Sequence, residues 1–248
     1  MNRRHGFTLI ELTVAVTVSA MLGALLLASL GDAQQKLQSA ACMNNMRQWG
    51  TAFGMYANDY NDYVPYQGGS PPIDGGFGLT AWYNVLTPYL KQPSLAGLYT
   101  QNKFPLPGSR SIFVCPSLTN TAAGFSNPPN SGNPWFAYAM NRMMNGLSGK
   151  LYQRSIAALP AQVILFSESE NNNFSFTDGY FLGPNNFPVV PPRHSGGMNF
   201  VFVDGHAEWF LLADYGRPSQ MGTGTGAQFE WAQSHKVYWF PCRTCNKS

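Results

Sequence analysis

Hydrophobic positions along this chain follow two patterns in succession. Residues 7–30 (FTLIELTVAVTVSAMLGALLLASL) are almost wholly apolar, with Glu11 as the single charge. As helix, 24 residues reach roughly 36 Å at about 1.5 Å per residue, against about 30 Å for a bilayer's apolar core. Beyond Leu30 the continuous run becomes a stripe. Cys42, Met46, Trp49, Phe53, Tyr56 and Tyr60 recur at steps of three and four, which places them on one helical face. No proline interrupts residues 7–64, and Pro65 follows as a stop signal. The pattern predicts one helix from about Phe7 to about Tyr60, with Gly23 and Gly31 as its weak points. Its first half suits lipid, and its second half lays an aromatic stripe on a globular domain as core.

After Val64 the pattern breaks into short apolar stretches between turns. Residues 80–90 read as a short helix. Residues 111–116, 136–141 and 162–167 read as strands, the last central because it is continuously apolar. Residues 67–78 and 118–134 read as loops, and residues 179–182 as a further apolar stretch. Residues 199–210 read as a hairpin turning at Asp204-Gly205. A two-residue turn there pairs Val203 with His206, Phe202 with Ala207, Val201 with Glu208 and Phe200 with Trp209. It puts Met198, Phe200, Phe202, Ala207, Trp209 and Leu211 on a core face toward the long helix, and Asn199, Val201, Val203, His206 and Glu208 on the other.

Composition narrows the class. Only 11% of residues are charged, where soluble proteins average about 25%. Aromatic content is 14%, too high for a disordered chain. A formal charge of +3 without a basic cluster gives no nucleic-acid footprint, so no nucleic-acid partner is expected. Arg3 and Arg4 precede the apolar run and would stay cytoplasmic by the positive-inside rule. The domain beyond the membrane would then be periplasmic.

Glu11 is the costly residue in that run, and an ionisable group there points to function and needs a partner. Cleavage after Gly6 would supply one, a free amine on Phe7. The stretch Gly6-Phe7-Thr8-Leu9-Ile10-Glu11-Leu12 resembles the class III signal of type IV pilins and type II secretion pseudopilins. The resemblance implies that a prepilin peptidase cuts after Gly6 and methylates Phe7. It also implies that Glu11 docks on the N-terminal amine of a neighbouring subunit. A secretory signal peptide would instead be cut after the apolar run, where residues 28–33 offer poor sites.

A second resemblance covers most of the chain. His194, nine residues, then Asp204-Gly205 is similar to the H-x9-DG signature of a bacterial family of pilin-like proteins. Cys42-Met-Asn-Asn45, Phe113-Val-Cys-Pro-Ser117 and Arg193-His-Ser-Gly-Gly197 match features of the same family. The implied fold class is α+β and pilin-like: one long N-terminal helix packed on a mainly antiparallel sheet. The expected organisation is a leader at residues 1–6, a transmembrane half-helix at 7–30, an extracytoplasmic half-helix at 31–62 and a globular domain at 63–248. The signature hairpin spans 194–210. Expected partners are like subunits in a filament, the prepilin peptidase, a pilus or secretion assembly platform, and the inner membrane.

Four cysteines allow three full pairings. The expected set is Cys42–Cys115, stapling helix to sheet, with Cys242–Cys245 as a local bond; a zinc knuckle at the latter lacks two ligands. His194 with Asp204 and the adjacent Ser195 could suggest catalysis, but no catalytic motif accompanies them. The turn reading of Asp204 and a structural hydrogen bond for His194 are preferred, and no enzyme is expected. No cofactor is required. Calcium is the alternative, with Asp59 and Asp62, or Glu168, Glu170 and Asp178, as candidate ligands, although no EF-hand spacing exists. A second functional reading is a binding module, membrane-held or at a filament tip, recognising a surface, glycan or secreted substrate through loops around Trp82, Trp135 and Trp231.

Overall fold

The computed structural model describes residues 8–68, 79–106, 109–118, 136–144, 152–172, 176–177, 193–215, 226–232 and 234–245. The chain forms two compact units, residues 1–38 and 39–248. Helix α1 (Leu9–Asp59) runs through Gly23 and Gly31 without interruption. Its apolar side chains from Leu9 to Leu25 are largely exposed, and it is long and apolar enough to cross a membrane. The start and end of α1 lie within two residues of the sequence expectation. The end has a local cause: Asn61 and Asp62 take the left-handed conformation, at φ 52° and 67°. Short polar side chains tolerate that region best after glycine. The Asp62 amide then reaches back to the Ala57 carbonyl at 2.7 Å, closing the helix end.

In the second unit, Cys42, Met46, Trp49, Phe53 and Tyr56 of α1 are buried, as the stripe predicts. Tyr60 is the exception. It is 53% exposed and stacks on Tyr56 with ring centroids 4.3 Å apart. Trp49 is the centre of the stripe. Its ring meets Trp82 edge-on at 4.9 Å, and its indole N–H donates to the Ile112 carbonyl at 3.1 Å.

Residues 80–90 form α2 (Trp82–Val85) and a 3-10 turn at Thr87–Leu90, and α3 (Leu95–Thr100) follows, which the pattern did not predict. Ser94 caps α3 by accepting from the Gly97 amide. Residues 111–116 are turns, not the expected strand. Their carbonyls are taken by side chains of α1: Asn45 donates to Ser111 and Val114, and Trp49 to Ile112. That satisfies the backbone without a neighbouring strand.

The sheet comprises β1 (Phe136–Asn141), β2 (Ile164–Asn172), β3 (Phe176–Thr177), β4 (Gly197–Phe202) and β5 (Ala207–Leu211), in the order β3-β1-β2-β4-β5. Four strands pair antiparallel, and β3 adds a short parallel edge to β1. The architecture is therefore α+β.

The β4–β5 hairpin is one residue out of the expected register. Met198 pairs with Phe210, Asn199 with Trp209, Phe200 with Glu208 and Val201 with Ala207. Phe202 pairs with His206 through its amide, and the Gly205 amide closes a turn on the Phe202 carbonyl at 2.9 Å. The loop thus has three residues, with Gly205 at φ 93° in the bulge position. The shift turns β4 over relative to the expectation, while β5 keeps its expected face, with Ala207 packed against the α1 cluster. Val201 and Val203 pack in the cluster that contains the α1 stripe. Met198, Phe200 and Phe202 pack on the other side with Ile164, Tyr215, Val237 and Trp239. β4 is buried along its whole length because the C-terminal segment returns to cover it. The Ile164 amide donates to the Tyr238 carbonyl there, the Tyr238 amide donates to the Gln162 carbonyl, and the buried Glu230 carboxylate accepts the Trp239 and Phe240 amides.

Candidate functional site

Among the described residues, two places carry chemistry. The first is the start of α1. Thr8 precedes the helix, and its hydroxyl accepts the Glu11 amide at 3.3 Å. The Glu11 carboxylate in return accepts the Thr8 amide and hydroxyl, both at 2.8 Å. This is a reciprocal cap that satisfies donors otherwise orphaned at a helix start. A carboxylate is also favoured at that end by the helix dipole. Glu11 thus has a local partner within its own chain. Gly6 and Phe7 lie outside the described residues.

The second place is the surroundings of His194. The structure joins Cys42 of α1 to Cys115, 73 positions apart, in a disulfide with 5.1 Å between Cα atoms. Cys242 and Cys245 form the other disulfide, and both pairings are those expected. His194 is buried against the first. Its Nε2 lies 3.5 Å from Cys115 Sγ and 2.8 Å from Glu168 Oε1, and its Nδ1 faces Ser117 Oγ at 3.5 Å. Glu168, from the centre of β2, is fully buried. It accepts the Asn199 side-chain amide at 2.9 Å and the Asn199 backbone amide at 3.2 Å.

Burial pushes the Glu168 carboxyl upward. The hydrogen bond and charge of His194, the charge of Arg193 and the Asn199 amide outweigh it and hold the group below its ordinary value. Arg193 is itself tied to the Ser169 carbonyl. Trp209 closes the outer side, its indole N–H donating to the His194 carbonyl at 2.9 Å. The turn at Ser195 and Gly196 (φ 53° and 81°) brings His194 back to pair with Gly197.

The signature residues separate in space by role. Asp204 sits on the exposed turn of the hairpin and accepts from His206, whose Nδ1 is 2.6 Å away. His194 takes its carboxylate partner from Glu168 instead. Asp204 thus takes the turn role expected of it, and His194 makes its structural hydrogen bond to Glu168 on β2 rather than to a loop; each belongs to a different acid–imidazole pair. The sequence offers Glu168 only as a calcium candidate; its pairing with His194 comes from the fold. An acid inside the apolar run ILFSESE signals a buried partner, but not which one.

The remaining candidates disperse. Asp59 accepts the Tyr89 hydroxyl at 2.8 Å. Asp62 pairs with Arg154 at 2.6 Å and accepts the Ser155 amide. Glu170 lies on β2, and Asp178 falls outside the described residues. Trp82 is core rather than a loop residue, Trp231 stacks on Tyr238 at 4.2 Å, and Trp135 is outside the described residues. The expected loops at 67–78 and 118–134 lie almost entirely outside them as well, and the run at 179–182 entirely so.

Against known families, residues 1–27 match the model described as prokaryotic N-terminal methylation motif. Residues 38–181, more than half of the chain, match the model described as protein of unknown function (DUF1559). No curated protein and no solved structure matches the chain.

Proposed function

The chain belongs to the DUF1559 family and carries a prokaryotic N-terminal methylation motif, and on that premise we propose that it is a structural subunit of an extracytoplasmic pilus or pseudopilus. The carrying observation is the conjunction of that motif with the exposed apolar first half of α1, whose one acid, Glu11, stands near its start. In this reading Gly6 is the cleavage residue and Phe7 the methylated new terminus. The subunit waits in the inner membrane with its N-terminus cytoplasmic and its C-terminal domain periplasmic. An assembly platform then extracts it as Glu11 meets a neighbour's Phe7 amine. The Glu11 carboxylate exchanges its Thr8 cap for that amine, so its charge stays compensated from membrane to filament. The same apolar surface serves first in lipid and then in the filament core. The setting that fits is type II-like secretion.

Glu11→Ala tests the docking role. The variant is expected to be cleaved and membrane-inserted but absent from sheared surface filaments, while Gly6→Glu leaves a heavier unprocessed chain. Normal filament entry of Glu11→Ala would overturn the docking role.

A further inference from the structure

The Cys42–Cys115 disulfide lies against an acid and an imidazole rather than in purely apolar core. One donor atom each from Cys42, Cys115, Glu168 and His194 lies within 4.8 Å of every other, and all four residues are buried. A buried acid–imidazole pair is costly to desolvate, and packing a disulfide does not require one. Two sulfurs, one imidazole nitrogen and one carboxylate oxygen form a donor set suited to tetrahedral zinc, with bonds of about 2.0–2.3 Å. Tetrahedral geometry on such bonds sets the donors about 3.3–3.8 Å apart. Cys115 Sγ and His194 Nε2 already stand at 3.5 Å. The two sulfurs would part to that spacing once their bond is broken.

The residues around the donors suit a metal. Metal-bound histidines donate their second ring N–H to a fixed acceptor. His194 turns Nε2 to the cluster and Nδ1 to Ser117 Oγ. Ligating carboxylates are themselves held by hydrogen bonds, and Asn199 holds Glu168 from its backbone and its side chain. Two thiolates and a carboxylate around Zn²⁺ leave one negative charge, and the Arg193 guanidinium, which acts on Glu168, opposes it.

We propose that this pocket is a redox-gated metal site, holding the Cys42–Cys115 disulfide when oxidised and one Zn²⁺ on Cys42, Cys115, His194 and Glu168 when reduced. The step uses a dithiol reductant of the cell envelope. The dithiol gives two electrons and two protons to the S–S bond, leaves as its own disulfide, and frees two thiols. Each thiol loses its proton as it binds Zn²⁺. His194 binds Zn²⁺ through Nε2 as the neutral imidazole, keeping its one ring proton on Nδ1, toward Ser117, and giving any second proton to solvent. In the return step a disulfide oxidant of the cell envelope takes two electrons from the two thiolates and two protons from solvent, leaves as its dithiol, and the re-formed Cys42–Cys115 bond releases Zn²⁺.

The test uses the full chain in detergent micelles with Cys242→Ser and Cys245→Ser, so that only Cys42 and Cys115 are thiols. After reduction by a phosphine, Co²⁺ is added without oxygen. The expected result is a tetrahedral thiolate–cobalt absorption that saturates at one equivalent and is abolished by Zn²⁺. Glu168→Gln and His194→Ala should each weaken binding tenfold or more. Zn²⁺ should raise the melting temperature of the reduced chain, or restore its circular dichroism if reduction unfolds it, and leave the oxidised chain unchanged. No saturable tetrahedral spectrum, the same spectrum with Cys42→Ser and Cys115→Ser added, or a reduced chain indifferent to Zn²⁺ would overturn the proposal.

Discussion

The backbone of Gly50 on α1 touches the backbone of Gly205 in the hairpin loop. A Cβ on Gly50 would stand 2.2 Å from the Gly205 carbonyl oxygen and 3.0 Å from a Val201 methyl. Gly205 also holds φ 93°, the left-handed bulge position of its loop. The last residue of the signature therefore shapes the turn and presents its carbonyl to the helix. The contact seats β4 so that Val201 and Val203 reach the stripe.

Gly50→Ala is accordingly expected to destabilise the fold by about 1–3 kcal/mol, the usual cost of overpacking, despite alanine's better helix propensity. Gly54, one turn further on, has open space around its Cβ position. Gly54→Ala should instead stabilise by about 0.5–1 kcal/mol. Urea unfolding of the two variants in micelles checks the pair. Equal effects of one sign would remove the close approach as the cause.

The His194–Glu168 pair makes a second prediction. Removing one member strands the other in the core, so His194→Ala should cost about 3–5 kcal/mol. The combined variant with Glu168→Gln should lose less than the two single losses together, because the residues share one interaction. Strict additivity in a double-mutant cycle would contradict the geometry.

The two disulfides should differ in weight. Cys42–Cys115 closes a separation of 73 and Cys242–Cys245 one of 3. On the chain-entropy model, replacing the first pair by serine should cost about 4.4 kcal/mol and the second about 1.6 kcal/mol. Melting curves of the two serine pairs give the comparison. A larger loss at the C-terminal pair would reverse it.

Tyr89 supplies a pH dependence. Burial, then the hydrogen bond to Asp59 and that carboxylate's charge, push its hydroxyl up to about 12. The folded chain holds this proton more tightly than the unfolded chain. Its contribution is therefore complete below about pH 10, where both states are protonated, and is lost as pH rises from about 10 to about 12. Tyr89→Phe should flatten the alkaline fall of stability in that window and leave the neutral range without a new slope. An unchanged alkaline profile would refute the assignment.

Much of this architecture is written in local pattern. The stripe from Cys42 to Tyr56, the absence of proline and the stop at residues 61–65 define α1, because a helix is specified by near neighbours. The hairpin register was less legible. Asp204-Gly205 suits both a two-residue and a three-residue loop, and the choice rests on Gly205 meeting α1. The double burial of β4 was hidden because its second cover, around Val237 and Trp239, comes from far along the chain. Residues 111–116 carry a strand-like pattern, but Asn45 and Trp49 take their carbonyls first. Glu168 and His194 are 26 positions apart, and only the fold brings them together.

Processing of this chain as a filament subunit is decided by the mass of its mature N-terminal peptide. That peptide should begin at Phe7 and carry one added methyl group. A mature chain that begins beyond the apolar run of α1, or that keeps residues 1–6, would contradict it.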